Sequence, residues 1–225
     1  TETFGKVGLL ENEYPNEIIF PFQISHIYRF FDFARVLKNL FLIEDEDSEN
    51  NSYPWFKDVG KITLTEKEKK VYIELVRNPE DTTQQIGEKV GFSRHTVSRM
   101  KKSFFDKNLL KKITIPSLNH LGFEMLAFYP IKFNPSNAPK KEDIEILDTY
   151  STIFLARRQF ETVLISAYPK YQDYKEDKMN KILYLKENNL ISYSPIIAKY
   201  TLERMIVIKD FDFGPIVKKV LLNNI

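Results

Sequence analysis

Apolar positions along the chain change their period several times, and each change marks an element. Ile24, Ile27, Phe31, Ala34, Leu37, Leu40 and Phe41 recur at three- and four-residue spacing, which predicts one helix behind a strand interrupted by Pro21 in "EIIFPFQ". Phe30, Phe33 and Val36 fall off that stripe, so the helix is expected to be buried in its own chain or against a second copy. "EDEDSENNSYP", residues 44 to 54, has no apolar period and reads as a loop or linker closing a first unit.

Three helical patterns follow within a short span. Thr65, three residues before Glu68, predicts a capped start, and Val71, Leu75 and Val76 supply an apolar stripe. After the break at "NPEDT", a short helix in "TTQQIGEKVG" is expected to stop at Gly91, which suits the positive φ needed just past a helix end. Ser93 caps the next helix, which runs to Asn108. Helix, turn, short helix, turn, longer helix is a DNA-binding arrangement. Gly87 lies inside the short helix at a cost of about 1 kcal/mol relative to Ala. A close approach of the second and third helices would compensate that cost.

The third helix separates its residues cleanly. At 100° per residue, Ser93, Val97, Met100 and Phe104 share one face, while His95, Ser98, Arg99 and Lys102 share the other, flanked by Arg94, Thr96 and Lys101. A solvated helix face ordinarily mixes signs, and this one carries no carboxylate. A helix that enters the major groove needs donors for phosphate and for guanine O6 and N7, with short side chains where the backbone comes close. Arg94, His95, Thr96, Ser98, Arg99 and Lys102 are therefore the candidate base-reading residues, Arg99 being the best placed for a bidentate guanine contact. Lys101, Lys107, Lys111 and Lys112 are candidates for phosphate, as are the backbone N–H groups at Thr82, Thr83 and Gln84 in the first turn of the short helix.

The remainder reads as strand "FEMLAFYPIKF", helix "KKEDIEILDTY", two strands meeting at "RRQFE", helix "YKEDKMNKILYLKENN" with Met179, Ile182 and Leu183 inward, and further strand in "SYSPIIAKYTLERMIVI". The order βαββαβ is the ferredoxin-like split arrangement, with both helices on one face. The expected fold class is α+β in three parts: an N-terminal α/β unit over 1–60, a winged helix-turn-helix over 61–119, and a ferredoxin-like domain over 120–225.

Charge sharpens the picture. The chain carries a formal +2, but residues 1 to 60 hold five Lys/Arg against eleven Asp/Glu, and residues 61 to 116 hold thirteen against seven. The basic middle segment points to a polyanionic partner. There is no Cys, which excludes disulfides and thiol catalysis, and the three His, at 26, 95 and 120, form no local metal motif. No apolar run approaches the ~20 residues of a bilayer span and the first residues carry no signal pattern, so a cytoplasmic protein with no membrane association is expected.

The passage from "LTEKEKKVYIELVR" through "KKITIPSLNHLGFEMLAFYPIKF" resembles the winged-helix start of the Lrp/AsnC family, the leucine-responsive and asparagine-synthesis regulators. In that family a helix-turn-helix is followed by a short strand, a turn ending in a Leu-Gly pair (Leu121 and Gly122 here) and the first strand of a ligand-sensing domain. The resemblance implies a transcription regulator bound to double-stranded DNA as a homodimer or higher even oligomer, with a small-molecule effector of unknown site. It brings no cofactor and no catalytic residue. Where the family usually has Gly and then Tyr-Asp, this sequence has "RQFETVLI", with Phe160 and Glu161 in those positions. Some relatives with the same two domains have lost DNA binding and decarboxylate a tetrapyrrole. That is the alternative reading, with His95 or His120 as acid or base.

Overall fold

The structure is a computed structural model and describes residues 25–43, 63–205 and 213–222. The strand expected at "EIIFPFQ" and the acidic linker over 44–54 lie outside these residues. The described elements are strand β1 (His26–Phe30), helices α1 (Ala34–Leu40), α2 (Glu66–Arg77), α3 (Thr83–Val90) and α4 (Arg94–Asp106), strand β2 (Met125–Lys132), α5 (Lys141–Leu147), the strands β3 (Thr152–Arg158) and β4 (Glu161–Tyr168), α6 (Tyr171–Glu187), β5 (Ala198–Thr201) and α7 (Gly214–Leu222). They divide into two compact units. One contains β1, α1 and everything from β2 to β5, and the other contains α2, α3, α4 and α7.

The first unit is built on a five-stranded antiparallel sheet in the order β1-β3-β4-β2-β5. Its last four members are the expected βαββαβ set. Alternation in β2 explains the layering: Met125, Ala127, Tyr129 and Ile131 are buried while their neighbours are only half-buried. These four pack with Ile144 and Leu147 of α5 and with Tyr174 and Leu185 of α6, so the helices cover one face, as period-2 patterning requires. On the other face Phe33 and Val36 join Leu118, Phe123, Ile153, Ala167 and Leu202 in a second cluster. The segment from α1 therefore closes part of the face that the two ferredoxin-like helices leave open.

One expectation about local structure is corrected here. The single helix expected across Ile24–Phe41 is a strand followed by a short helix, because His26–Phe30 pairs with β3, His26 opposite Arg157 and Phe30 opposite Phe154. The pairing is reinforced by Arg29, which is buried and whose Nε donates to Asp148 Oδ1 at 2.5 Å while Nη1 donates to Asp32 Oδ2 at 3.1 Å. Strand addition carries β1 and α1 into the sheet, and α7, downstream of β5, packs against α2.

The inward face of α6 differs too. Met179 and Leu183, expected inside, are exposed, whereas Tyr174, Lys181 and Leu185 are buried. Lys181 is only 1% exposed. Its ammonium donates to Asp177 one turn earlier and, at 2.9 Å, to Thr149 Oγ1, and it lies 5.7 Å from the centre of the Tyr129 ring. Asp177 Oδ2 accepts further from the Tyr168 hydroxyl at 2.5 Å and Ser151 Oγ at 3.2 Å, and the Tyr168 and Tyr129 hydroxyls are 2.8 Å apart. Burial pulls the Lys181 amine below its usual range, opposed by Asp177, and pushes both tyrosine hydroxyls upward. A charge so placed is tolerated because Asp177, Thr149 and the Tyr168 and Tyr129 hydroxyls around it are joined by hydrogen bonds.

Candidate nucleic-acid interface

The second unit positions α4 through sequence-local devices. The Thr65 hydroxyl accepts from the Glu68 N–H at 3.3 Å while the Glu68 carboxylate accepts from the Thr65 N–H at 2.8 Å, the reciprocal box expected from the sequence. The bond from the Thr65 N–H, and a second from the Thr65 hydroxyl to Glu68 Oε2 at 2.7 Å, hold the Glu68 carboxyl below its usual range. Thr82 and Gln85 form the same box at the start of α3, with Gln85 N–H to the Thr82 hydroxyl at 3.3 Å and Thr82 N–H to Gln85 Oε1 at 2.8 Å. Gly91 ends α3 with φ of +74°, and Ser93 caps α4 by accepting from the Thr96 N–H at 3.3 Å. The three helices close on Val71, Leu75, Ile86, Val97 and Phe104, all buried. Tyr72 clamps the far end: its hydroxyl donates to the Leu109 carbonyl at 2.6 Å and its ring meets Phe104 edge-on at 5.2 Å.

Gly87 shows how tightly the turn between α3 and α4 is drawn. A Cβ built there would lie 2.5 Å from the Phe92 carbonyl oxygen and 3.6 Å from the Arg94 nitrogen. The close approach anticipated for this glycine is real, but it is made by the backbone of the turn rather than by side chains of α4. Gly87→Ala is accordingly expected to destabilise. Ala in an open helix position would gain about 1 kcal/mol over Gly, whereas overpacking against fixed backbone costs about 1–3 kcal/mol. Urea unfolding reads the sign: a stabilised variant would mean that the turn relaxes freely.

With Val97 and Phe104 inward, the opposite side of α4 is open. Arg94, His95, Ser98, Arg99 and Lys102 are exposed, and the helix holds no carboxylate before Asp106. Among the described residues no carboxylate pairs with Arg94, Arg99, Lys101 or Lys102. By contrast, Lys89 on α3 is occupied by Asp81 at 2.6 Å and Glu74 at 3.5 Å, and the bond to Asp81 raises its amine. The structure thus brings five of the six candidate base-reading side chains onto one exposed surface. Thr96 is different. It is half-buried and its hydroxyl is 3.0 Å from Ser93 Oγ, so it belongs to the helix cap.

The candidate phosphate residues are more varied. Lys107, Lys111 and Lys112 are exposed and Lys101 half-buried. Lys112 Nζ lies 3.3 Å from Glu80, a pair that a phosphate would compete with. At the start of α3 the Thr82 and Gln85 N–H groups are consumed by the box. The Thr83 and Gln84 N–H groups, in the first turn of α3, have no carbonyl of their own helix to bond and are the donors left for an anion. The short strand of the resembled family does not form after α4, where residues 107–124 carry no strand.

No curated protein sequence matches this chain. Residues 60–137, less than half of the chain, match the family described as sugar-specific transcriptional regulator TrmB. Solved structures similar to the chain include a transcriptional regulator from Neisseria meningitidis in complex with L-Met, at 13% identity and a TM-score of 0.49, covering 66% of this chain and 94% of that one. They also include an AsnC family transcriptional regulator from Agrobacterium tumefaciens, at 12% identity, TM-score 0.47 and 65% and 94% coverage, and AsnC of E. coli, at 10%, 0.47, and 67% and 99%. Regulators of the Lrp/AsnC type, the family the sequence resembles, are thus among its structural neighbours. Among the described residues no helix is long and apolar enough to cross a membrane, and no group of His, Asp or Glu could hold a metal.

Proposed function

We propose that the chain is a sequence-specific, dimeric DNA-binding transcription regulator in which α4 enters the major groove. The observation that carries this reading is the open face of α4: guanidinium, imidazole, ammonium and hydroxyl groups at helical spacing, without a carboxylate to answer them. The matched family, one of transcription regulators, covers α2, α3 and α4 and supports the same reading rather than an enzyme. Its description as sugar-specific supports adding a small-molecule effector to the proposal. Arg94, His95, Ser98, Arg99 and Lys102 read base edges, Thr96 holds the helix start, and Lys101, Lys107, Lys111 and Lys112 with the first turn of α3 set the register on phosphate. Dimerisation places two such helices on half-sites one turn of DNA apart, which adds their energies.

The test is binding to random genomic fragments across a salt series, with the bound fragments sequenced. A steep loss with salt and an enriched motif of two half-sites is the expected result. No binding at low salt would remove the regulator reading. Within the same series Lys111→Ala is expected to weaken every sequence alike and to lower the salt slope by about 1; a loss confined to the enriched motif would take Lys111 out of the phosphate set.

A further inference from the structure

The end of α4 is built as a turn, and the turn leads into lysines. Asn108, just past the helix, holds φ of +54°, in the left-handed region that Gly ordinarily takes at a helix end. Its N–H donates to the Phe105 carbonyl at 2.9 Å, and the Leu109 N–H reaches back to the Phe104 carbonyl at 2.8 Å. These bonds satisfy carbonyls that a helix end leaves open and carry the chain off the α4 axis. Leu109 and Leu110 then pack, partly buried, on the cluster that contains Val71, Ile86 and Phe104.

The N–H groups of this turn are spent on α4, whereas the Leu109 carbonyl is taken by a different helix. It accepts from the Tyr72 hydroxyl of α2 at 2.6 Å. Burial pushes that hydroxyl above the ordinary tyrosine range, so it keeps its proton and remains a donor at neutral pH. The same residue sets its ring edge-on to Phe104 at 5.2 Å, so Tyr72 holds the last turn of α4 and the chain that leaves it. Beyond this point residues 110–113 carry neither helix nor strand, and the exposed Lys111 and Lys112 hang on them. The exposed pair of Lys112 with Glu80, at 3.3 Å, adds little restraint. A phosphate contact made from a loose segment costs the ordering of that segment at the moment of binding. A segment already fixed at Leu109 spares most of that cost.

We propose that Tyr72 is a positioning residue for DNA, its hydroxyl fixing the turn at Leu109 so that Lys111 and Lys112 meet phosphate already ordered. The inference rests on the regulator reading and adds to it a half-buried residue of α2 that acts through the two lysines. The experiment compares the full chain with Tyr72→Phe, which keeps the ring against Phe104 and deletes only the donor. Without DNA, amide hydrogen exchange of residues 110–112 is expected to quicken by about two- to tenfold, the loss of one net hydrogen bond, with exchange along α4 unchanged. With DNA, Tyr72→Phe is expected to weaken the enriched motif and random fragments by the same factor, about two- to tenfold. That loss should vanish when Lys111→Ala and Lys112→Ala are already present and persist in full beside Arg99→Ala, since only the lysines lie on the segment that Tyr72 holds. Unchanged affinity in Tyr72→Phe, an equal loss when both lysines are already gone, or quickened exchange along α4 itself would each overturn the proposal and leave the regulator reading standing. Absence of DNA binding by the unaltered chain would remove both.

Discussion

Asp177→Ala is expected to lower the stability of the sheet-containing unit by about 3–5 kcal/mol, the cost of leaving a buried charge without its partner. Asp177 is the acceptor on which the Lys181 ammonium, the Tyr168 hydroxyl and the Ser151 hydroxyl converge. Without it, Lys181 keeps only Thr149 Oγ1 and the Tyr129 ring, while 1% of its surface reaches water. The effect has a pH signature. The folded-state pKa of Lys181 is already lowered by burial, with Asp177 opposing the shift, so the variant lowers it further. Between that lowered value and the ordinary lysine range the unfolded chain binds the extra proton, and stability rises with pH. Denaturant unfolding of the variant at pH 7 and pH 9, below the range where Tyr129 and Tyr168 titrate, should show partial recovery at the higher pH. A loss under about 1 kcal/mol at pH 7 would mean that the ammonium finds water or is already neutral. Replacing both partners with apolar residues of similar volume is expected to be far milder than removing one.

That same cluster shows where sequence pattern stops being informative. A periodicity argument places Lys outside, so Met179, Ile182 and Leu183 were the natural inward choice on α6; the residues that turn inward are Tyr174, Lys181 and Leu185, with Asp177 between them. The spacing of Tyr174, Asp177, Lys181 and Leu185 is itself helical, but only partners far along the chain, Thr149 and Tyr129, make that face the stable one. β1 failed to be legible for a related reason. A five-residue edge strand has too few positions to separate period 2 from period 3.6, and its decisive partners, β3 and Asp148, lie more than a hundred residues away. In contrast, the helix-turn-helix was legible nearly residue by residue, because caps at Thr65, Thr82 and Ser93 and the stop at Gly91 are local chemistry. The exception is Thr96, where the spacing correctly placed the residue beside the open face and the side chain turned back to Ser93.

Arg99→Ala is expected to lose about 1–3 kcal/mol of discrimination at one base position of each half-site, roughly a ten- to hundred-fold drop on the enriched motif, while binding to random DNA changes far less. The argument is geometric. Arg99 follows His95 by four residues and precedes Lys102 by three, so at 100° per residue it lies about 40° from His95 and about 60° from Lys102, on the exposed face that a helix lying in the major groove turns toward base edges. No described carboxylate restrains its guanidinium, and a free fork can meet guanine O6 and N7 together. Arg99→Lys separates charge from shape: it keeps the cation and loses the bidentate geometry. If Arg99 reads a base, the Lys variant resembles the Ala variant on the motif and the wild type on random DNA. If it only neutralises phosphate, the Lys variant resembles the wild type on both, and base reading passes to Arg94, the other guanidinium on the same face.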